Sequence, residues 1–244
     1  HTRLVSDWSS DVCSSDLSDK DREIVKMGIH KSIVTMSAAA GLAMVLGSPV
    51  ALAADNSMGF FVTSVGMGDG ANLGGLAGAD AHCAKLATAA GSKGRTWRAY
   101  LSTWFPDKRG ISARDRIGKG PWYNAKGDLI ASDLDQLHIS PNLVKRTALD
   151  QNGMLVKGRG DKPNEHDILT GTKADGTAYF PWEKGEHTCG NWTSNDKGSA
   201  MVGHHDRHGG GNTSWNTAHG SRGCSQKALI STGGAGKLYC FAAD

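Results

Sequence analysis

The sequence predicts an α+β domain, and three observations predict it. Short runs of β-forming residues recur between turn residues, one stretch carries apolar positions at helical spacing, and a long segment from Thr193 to Gly223 consists mostly of Gly, Ser, Asn, His and Asp. The 33 glycines against 6 prolines belong to a chain of many turns and loops rather than a helical bundle. No repeat of fixed period and no heptad pattern is visible.

The first 53 residues are read as lying outside the domain. Residues 1–26 include Asp7-Trp8-Ser9-Ser10-Asp11-Val12-Cys13-Ser14-Ser15-Asp16-Leu17, which reads as a translated sequencing-library adapter, and Cys13 is set aside with it. Residues 27–53 read as a secretory signal peptide: Met27 as start, Lys31 as the positive region, Ile33 to Leu46 as the apolar region, and Ala51-Leu52-Ala53 as the cleavage site, cut after Ala53. An apolar run of about 14 residues is too short to span a bilayer. The expectation is an exported protein, periplasmic or extracellular, whose mature chain has no membrane span. Residues 54–244 are long enough for a single domain with its own core.

Residues 1–53 hold five Lys/Arg and six Asp/Glu of the chain's 27 and 24, which leaves 22 and 18 and a net charge of +4. So mild a charge, without runs of one sign, gives no case for nucleic acid as a partner.

Within that domain, Gly59 to Val65 is rich in β-formers and predicts a first strand. Ala79, Cys83, Leu86 and Ala90 recur at helical spacing, predicting a helix over 78–90 that stops at Gly91 and turns Cys83 inward. Arg95 to Ser102 alternates as a strand, Trp122 to Ile130 reads as a hairpin turning at Lys126-Gly127, and Asn152-Gly153 is a tight-turn dipeptide. Ile168 to Thr170, Thr188 to Trp192, Ala200 to Gly203 and Lys237 to Phe241 are the remaining predicted strands. Thr193 to Gly223 is expected to be loop with little core.

Four cysteines, Cys83, Cys189, Cys224 and Cys240, remain in the exported part, where thiol pairs stay oxidised. Four cysteines allow three connectivities, and spacing alone does not choose among them. No two lie at CxxC spacing, so a structural role is expected rather than a catalytic or metal-binding one.

Six segments in order carry a resemblance: Gly78-Ala79-Asp80-Ala81-His82-Cys83, Gly94 to Ser102, Ala113-Arg114-Asp115-Arg116, Asn124 to Leu129, Cys189-Gly190-Asn191-Trp192-Thr193, and Leu238-Tyr239-Cys240. Together they resemble the endostatin branch of the C-type lectin-like fold, across most of residues 58–242, and are similar to bacterial exported proteins loosely called lectins. The resemblance implies neighbouring termini, two helices, two small antiparallel sheets and a long loop before the last strands. It also implies the pairs Cys83 with Cys240 and Cys189 with Cys224. Closing loops of about 158 and about 36 residues would remove roughly 5 and 4 kcal/mol of unfolded-chain entropy, as upper estimates.

The family's binding residues carry over poorly. Lectin calcium sites use a Trp-Asn-Asp motif and a Glu-Pro-Asn motif; here Trp215-Asn216-Thr217 and Lys162-Pro163-Asn164 each lack the acid that a hard cation takes. Endostatin's zinc uses a histidine-bearing arm and a hairpin aspartate. Here the arm Asp55-Asn56-Ser57-Met58 has no histidine, and Gly127 stands at the aspartate's place. Two of its heparin-binding arginines fall on Ala77 and Thr193. No cofactor is therefore expected; calcium or zinc would have no support from the family motifs, and folding should need no metal.

Outside the resemblance stands Gly203-His204-His205-Asp206-Arg207-His208-Gly209, with His219 beyond it: three imidazoles and a carboxylate that would reach a zinc or copper ion if the loop folded back. Lys108, Arg109, Arg114, Arg116 and Lys119, with Asp107 and Asp115, form a basic stretch read as ordinary charged surface. Trp97 and Trp122 are expected in the core. Trp192 and Trp215 border the loop, where exposed indoles would stack on a sugar ring; the alternative is that both pin the loop to the core.

The expected function is a binding module rather than an enzyme, with a glycan or other extracellular polymer as first partner and a protein partner as the second. Its expected site is the 190–223 loop: Trp192, Asn195, Asp196, His204, His205, Asp206, His208, Trp215 and Asn216. On that reading Trp215→Ala or Asp206→Ala weakens binding without lowering Tm. The alternatives are a protein-binding adhesin or envelope structural domain, and a metal-dependent hydrolase using the histidine loop.

Overall fold

The computed structural model describes residues 57–183 and 185–244. The expected leader, export signal and cleavage site after Ala53 lie outside the described residues.

The elements follow one another as β1 (Phe60–Val62), α1 (Gly75–Ala89), β2 (Trp97–Ala99), a 3-10 turn (Ala113–Asp115), β3 (Trp122–Tyr123), β4 (Leu129–Ala131), α2 (Leu134–Ile139), β5 (Asp167–Leu169), α3 (Cys189–Trp192), β6 (Met201–His204), β7 (His219–Gly220), α4 (Gln226–Thr232) and β8 (Gly234–Ala242). The mixed α and β character agrees with the predicted class.

The last strand organises the rest. β8 pairs antiparallel with β1 and β2 through its second half and parallel with β5 through its first, and the sheet continues through β6 to β7. Because strand side chains alternate between faces, β8 feeds two cores. Leu238, Cys240 and Ala242 join Phe61, Leu73, Ala79, Cys83 and Trp97, whereas Tyr239 and Phe241 join Phe60, Tyr100, Trp122, Ile130 and Trp215. Coverage of both faces is why these strands read as continuous apolar runs. Trp97 and Trp122 are buried, as expected.

Both disulfides are formed, Cys83 with Cys240 and Cys189 with Cys224. The first ties α1 to β8. Asp80, on the same helix, accepts from the Ala99 backbone N–H at 2.9 Å and pairs with Arg98 at 2.8 Å and Arg116 at 2.7 Å, locking α1 onto β2. Arg116, placed by the sequence in a charged surface stretch, is therefore a largely covered structural cation whose partner is distant in the chain.

Four features depart from the sequence reading. The sheet of six strands is mixed, where two antiparallel sheets were implied, because α4 returns the chain so that β8 runs alongside β5. Among the described residues four helices form where the resemblance implied two, and neither α2 nor α4 was placed by the residues, although Asp133 caps the first by accepting from Gln136 N–H, and Ser225 and left-handed Gly233 bound the second.

Thr188 to Trp192 is a tight helical turn instead of a strand, with positive φ at Cys189, Gly190, Asn191 and Trp192. Thr188 caps that turn, and the Asn191 side chain exchanges hydrogen bonds with the backbone N–H and C=O of Trp104 at 2.7 and 2.9 Å. Lastly, the segment expected to be loop contains β6 and β7 and buries Ala200, Val202 and Trp215. No helix among the described residues is long and apolar enough to cross a membrane.

Candidate functional site

Sheet register assembles the candidate site. Antiparallel pairing of β5 with β6 sets Asp167 directly opposite His204, and β6 with β7 sets Val202 opposite His219. Since residues two apart share a face, Asp167, His204 and His219 come together at one end of the sheet. His166 immediately precedes β5, where the pairing with β8 shifts register between Asp167 and Ile168. Its carbonyl accepts from the His205 backbone N–H at 3.2 Å.

Three imidazole Nε2 atoms converge on one carboxylate oxygen: His166, His204 and His219 lie 3.2, 3.3 and 3.5 Å from Asp167 Oδ1. His166, Asp167 and His204 are 5%, 2% and 3% exposed. The ligand-type atoms of these three residues lie within 4.8 Å of one another. The His166 and His204 rings stack with centroids 4.1 Å apart. The contacts to Asp167 are not aligned as hydrogen bonds, and both Asp167 oxygens and both His204 nitrogens are buried without a hydrogen-bond partner. Burial pushes the Asp167 carboxyl up, but His204, His219 and His166 outweigh it and hold its pKa below the ordinary carboxylate value. The Asp167 carboxylate raises the His219 imidazole above its ordinary value.

A second carboxylate stands behind the first. Asp206 accepts from His166 Nδ1 at 3.3 Å and from the backbone N–H groups of Arg159 and His208 at 2.6 and 3.0 Å. Despite the upward push of burial, these bonds hold the Asp206 carboxyl well below the usual carboxylate range. With Nδ1–H given to Asp206, His166 presents Nε2 to Asp167.

Glycines permit the close packing. A Cβ at Gly233, whose φ is +108°, would fall 2.5 Å from Asn164 Nδ2 and 3.2 Å from the His166 ring. One at Gly203 would fall 1.8 Å from the Trp215 carbonyl oxygen.

The group borders a pocket of about 610 Å³ whose remaining wall is Arg159, Asn164, Asn212, Thr232, Ala218 and the Gly209–Gly211 turn. Among the described residues the Arg159 guanidinium and the Asn164 amide nitrogen have no protein partner.

The structure divides the nine residues expected to bind ligand. Trp192, His204, His205, Asp206, Trp215 and Asn216 are buried; Asn195, Asp196 and His208 are exposed. The expected indole platform is thereby corrected: Trp192 donates Nε1–H to the Ser102 carbonyl at 2.7 Å, and Trp215 packs on Tyr100 and Tyr239. Asn216 donates to Tyr100 Oη and to the carbonyls of Lys173 and Ala174, filling its amide with internal partners. Exposed Asn195 is tied to Asp69 at 2.6 Å.

Nor does the histidine run close on itself. His205 turns away and donates Nε2–H to the Lys157 carbonyl, its pKa depressed by burial, while His208 faces solvent. His166, Asp167 and Arg159 were missed. The one signal for them was a His-Asp doublet placed directly before the predicted strand at Ile168. No family model matches the chain, and no curated protein matches it in sequence.

Proposed function

We propose that the chain is an exported, disulfide-bonded domain of the C-type lectin-like fold, endostatin-like branch, and that it acts as a glycan-binding module rather than an enzyme. The disulfide pattern supports the fold assignment: an outer bridge from α1 to β8 and an inner bridge at the two ends of the 190–223 segment. The observation that carries the functional reading is the open pocket, whose Arg159 guanidinium and Asn164 amide nitrogen have no protein partner among the described residues. Hydroxyl-rich and carboxylate-bearing sugars match such donors. The 190–223 segment contributes through Gly209–Asn212 and His219, and its two buried tryptophans serve as scaffold.

A glycan array read with and without calcium tests this. Arg159→Ala and Asn164→Asp, the second keeping the oxygen that accepts from the His166 backbone N–H, should each weaken the bound glycan about tenfold or more, as for loss of a hydrogen bond involving a charged or buried partner, with Tm unchanged. An array without a hit, or binding indifferent to both substitutions, overturns the reading and favours the protein-binding adhesin.

A further inference from the structure

We infer that His166, Asp167 and His204 form a binding site for one divalent transition-metal ion of the zinc class, with its open position toward the pocket. The inference goes beyond glycan binding and stands on its own side chains.

Distances decide it. A four-coordinate ion with bonds of roughly 2.0 to 2.2 Å sets its ligand atoms about 3.3 to 3.5 Å apart. Asp167 Oδ1 lies 3.2 and 3.3 Å from the Nε2 atoms of His166 and His204, and the ligand atoms of these three residues all lie within 4.8 Å of one another. A bridging water does not fit the same frame, because hydrogen bonds of about 2.8 Å to tetrahedral partners would spread them to about 4.5 Å. Direct hydrogen bonding fails as well: neither Asp167 oxygen and neither His204 nitrogen has an aligned partner. Buried polar groups left so cost on the order of 1–3 kcal/mol each, and a cation among them removes that cost for the atoms it binds.

Donor chemistry names the ion. Imidazole nitrogens with a single carboxylate suit zinc and its first-row neighbours, whereas calcium takes six to eight oxygens. The support behind the ligands fits too. Asp206 accepts from His166 Nδ1, the carboxylate–histidine arrangement that fixes a ligating ring and strengthens it as a donor. All three ligands are buried at this end of the sheet, and His166 and His204 also line the pocket, which leaves the fourth position to a solvent or ligand atom. From the His204–His208 run, where the sequence placed its metal candidates, only His204 takes part.

The test uses the untagged chain, stripped with EDTA and reloaded with Zn²⁺ or Co²⁺ alone. One equivalent of zinc should be retained after gel filtration, Tm should rise on reloading, and Co²⁺ should give the intense visible absorption of a four-coordinate site. His204→Gln, which keeps a polar side chain in the buried position, should fold and lose zinc affinity at least tenfold, and Asp167→Asn should lose retention altogether. His208→Ala should bind as the parent does.

Absence of both zinc retention and a Tm rise in the parent chain overturns the site, as does full affinity in His204→Gln and Asp167→Asn together. Loss of metal in His208→Ala alone would return it to the loop. None of these readouts involves a glycan, so this test and the array succeed or fail separately.

Discussion

At the scale of single residues, burial separates roles that the sequence could not. Trp192 and Trp215 border a loop-rich segment and could serve ligand or core by sequence, yet both are buried, as Trp97 and Trp122 are. Trp215→Ala is therefore expected to cost about 3–5 kcal/mol, the usual range for an aromatic removed from a core, and urea unfolding measures it. This reverses the sequence expectation that its Tm would stay at the parent value. Asp80 is the second case. Removing it leaves Arg116 and Arg98 without their carboxylate and the Ala99 N–H without its acceptor. Asp80→Ala should lose about 3–5 kcal/mol, as broken buried pairs do, by the same measurement.

His138 adds a pH dependence. It donates Nδ1–H to the Leu134 carbonyl at 2.7 Å and accepts at Nε2 from Tyr100 O–H at 2.8 Å, an arrangement that needs the neutral ring. Burial accordingly depresses its pKa. Its folded value lies below the unfolded value of about 6.5, so its contribution is intact above that pH and is lost as the pH falls through it. Stability measured from pH 7.5 to 5 should fall less steeply in His138→Gln than in the parent.

At the scale of elements, the tight turn α3 shows how a short sequence can be misread. Cys189-Gly190-Asn191-Trp192 contains strand-compatible residues, but the inner disulfide, the Thr188 cap and positive φ at all four residues make it a tight left-handed turn. Asn191 suits this position because its short side chain tolerates left-handed backbone and supplies both partners that the Trp104 backbone needs. Asn191→Ala should destabilise by about 2 kcal/mol or more through the two unpaired backbone groups, visible as a lower denaturant midpoint. The same scale explains β5, β6 and β7. A three-residue strand carries too little pattern to announce its register, yet register alone brings His204 opposite Asp167.

For the whole molecule, the two disulfides close the fold over a glycine-rich chain. The outer bridge joins residues 157 apart and binds the first helix to the last strand. Cys240→Ser should lower stability by about 2–5 kcal/mol, measured by urea unfolding against the parent. Non-reducing peptide mapping should recover Cys83 linked to Cys240 and Cys189 linked to Cys224. A Cys83–Cys189 peptide would contradict the topology. β8 explains why this bridge matters: it pairs with three other strands and feeds both cores, so loosening its end unsettles both.

The sequence by itself determined what depends on local chemistry. The mixed α and β class, the helix carrying Cys83, the hairpin at Gly127 and the core placement of Trp97 and Trp122 follow from periodicity, turn residues and β-forming runs, which act over a few neighbours. Only the tertiary structure decided what depends on contacts distant in the chain. Whether Trp215 faces ligand or core turns on Tyr100 and Tyr239, and the partner of Arg116 is Asp80, 36 residues away. The convergence of His166, Asp167, His204 and His219 is the clearest instance. Three strands bring these residues to one point, and pairing register, a property of backbone hydrogen bonds between segments, leaves no mark in the order of the residues.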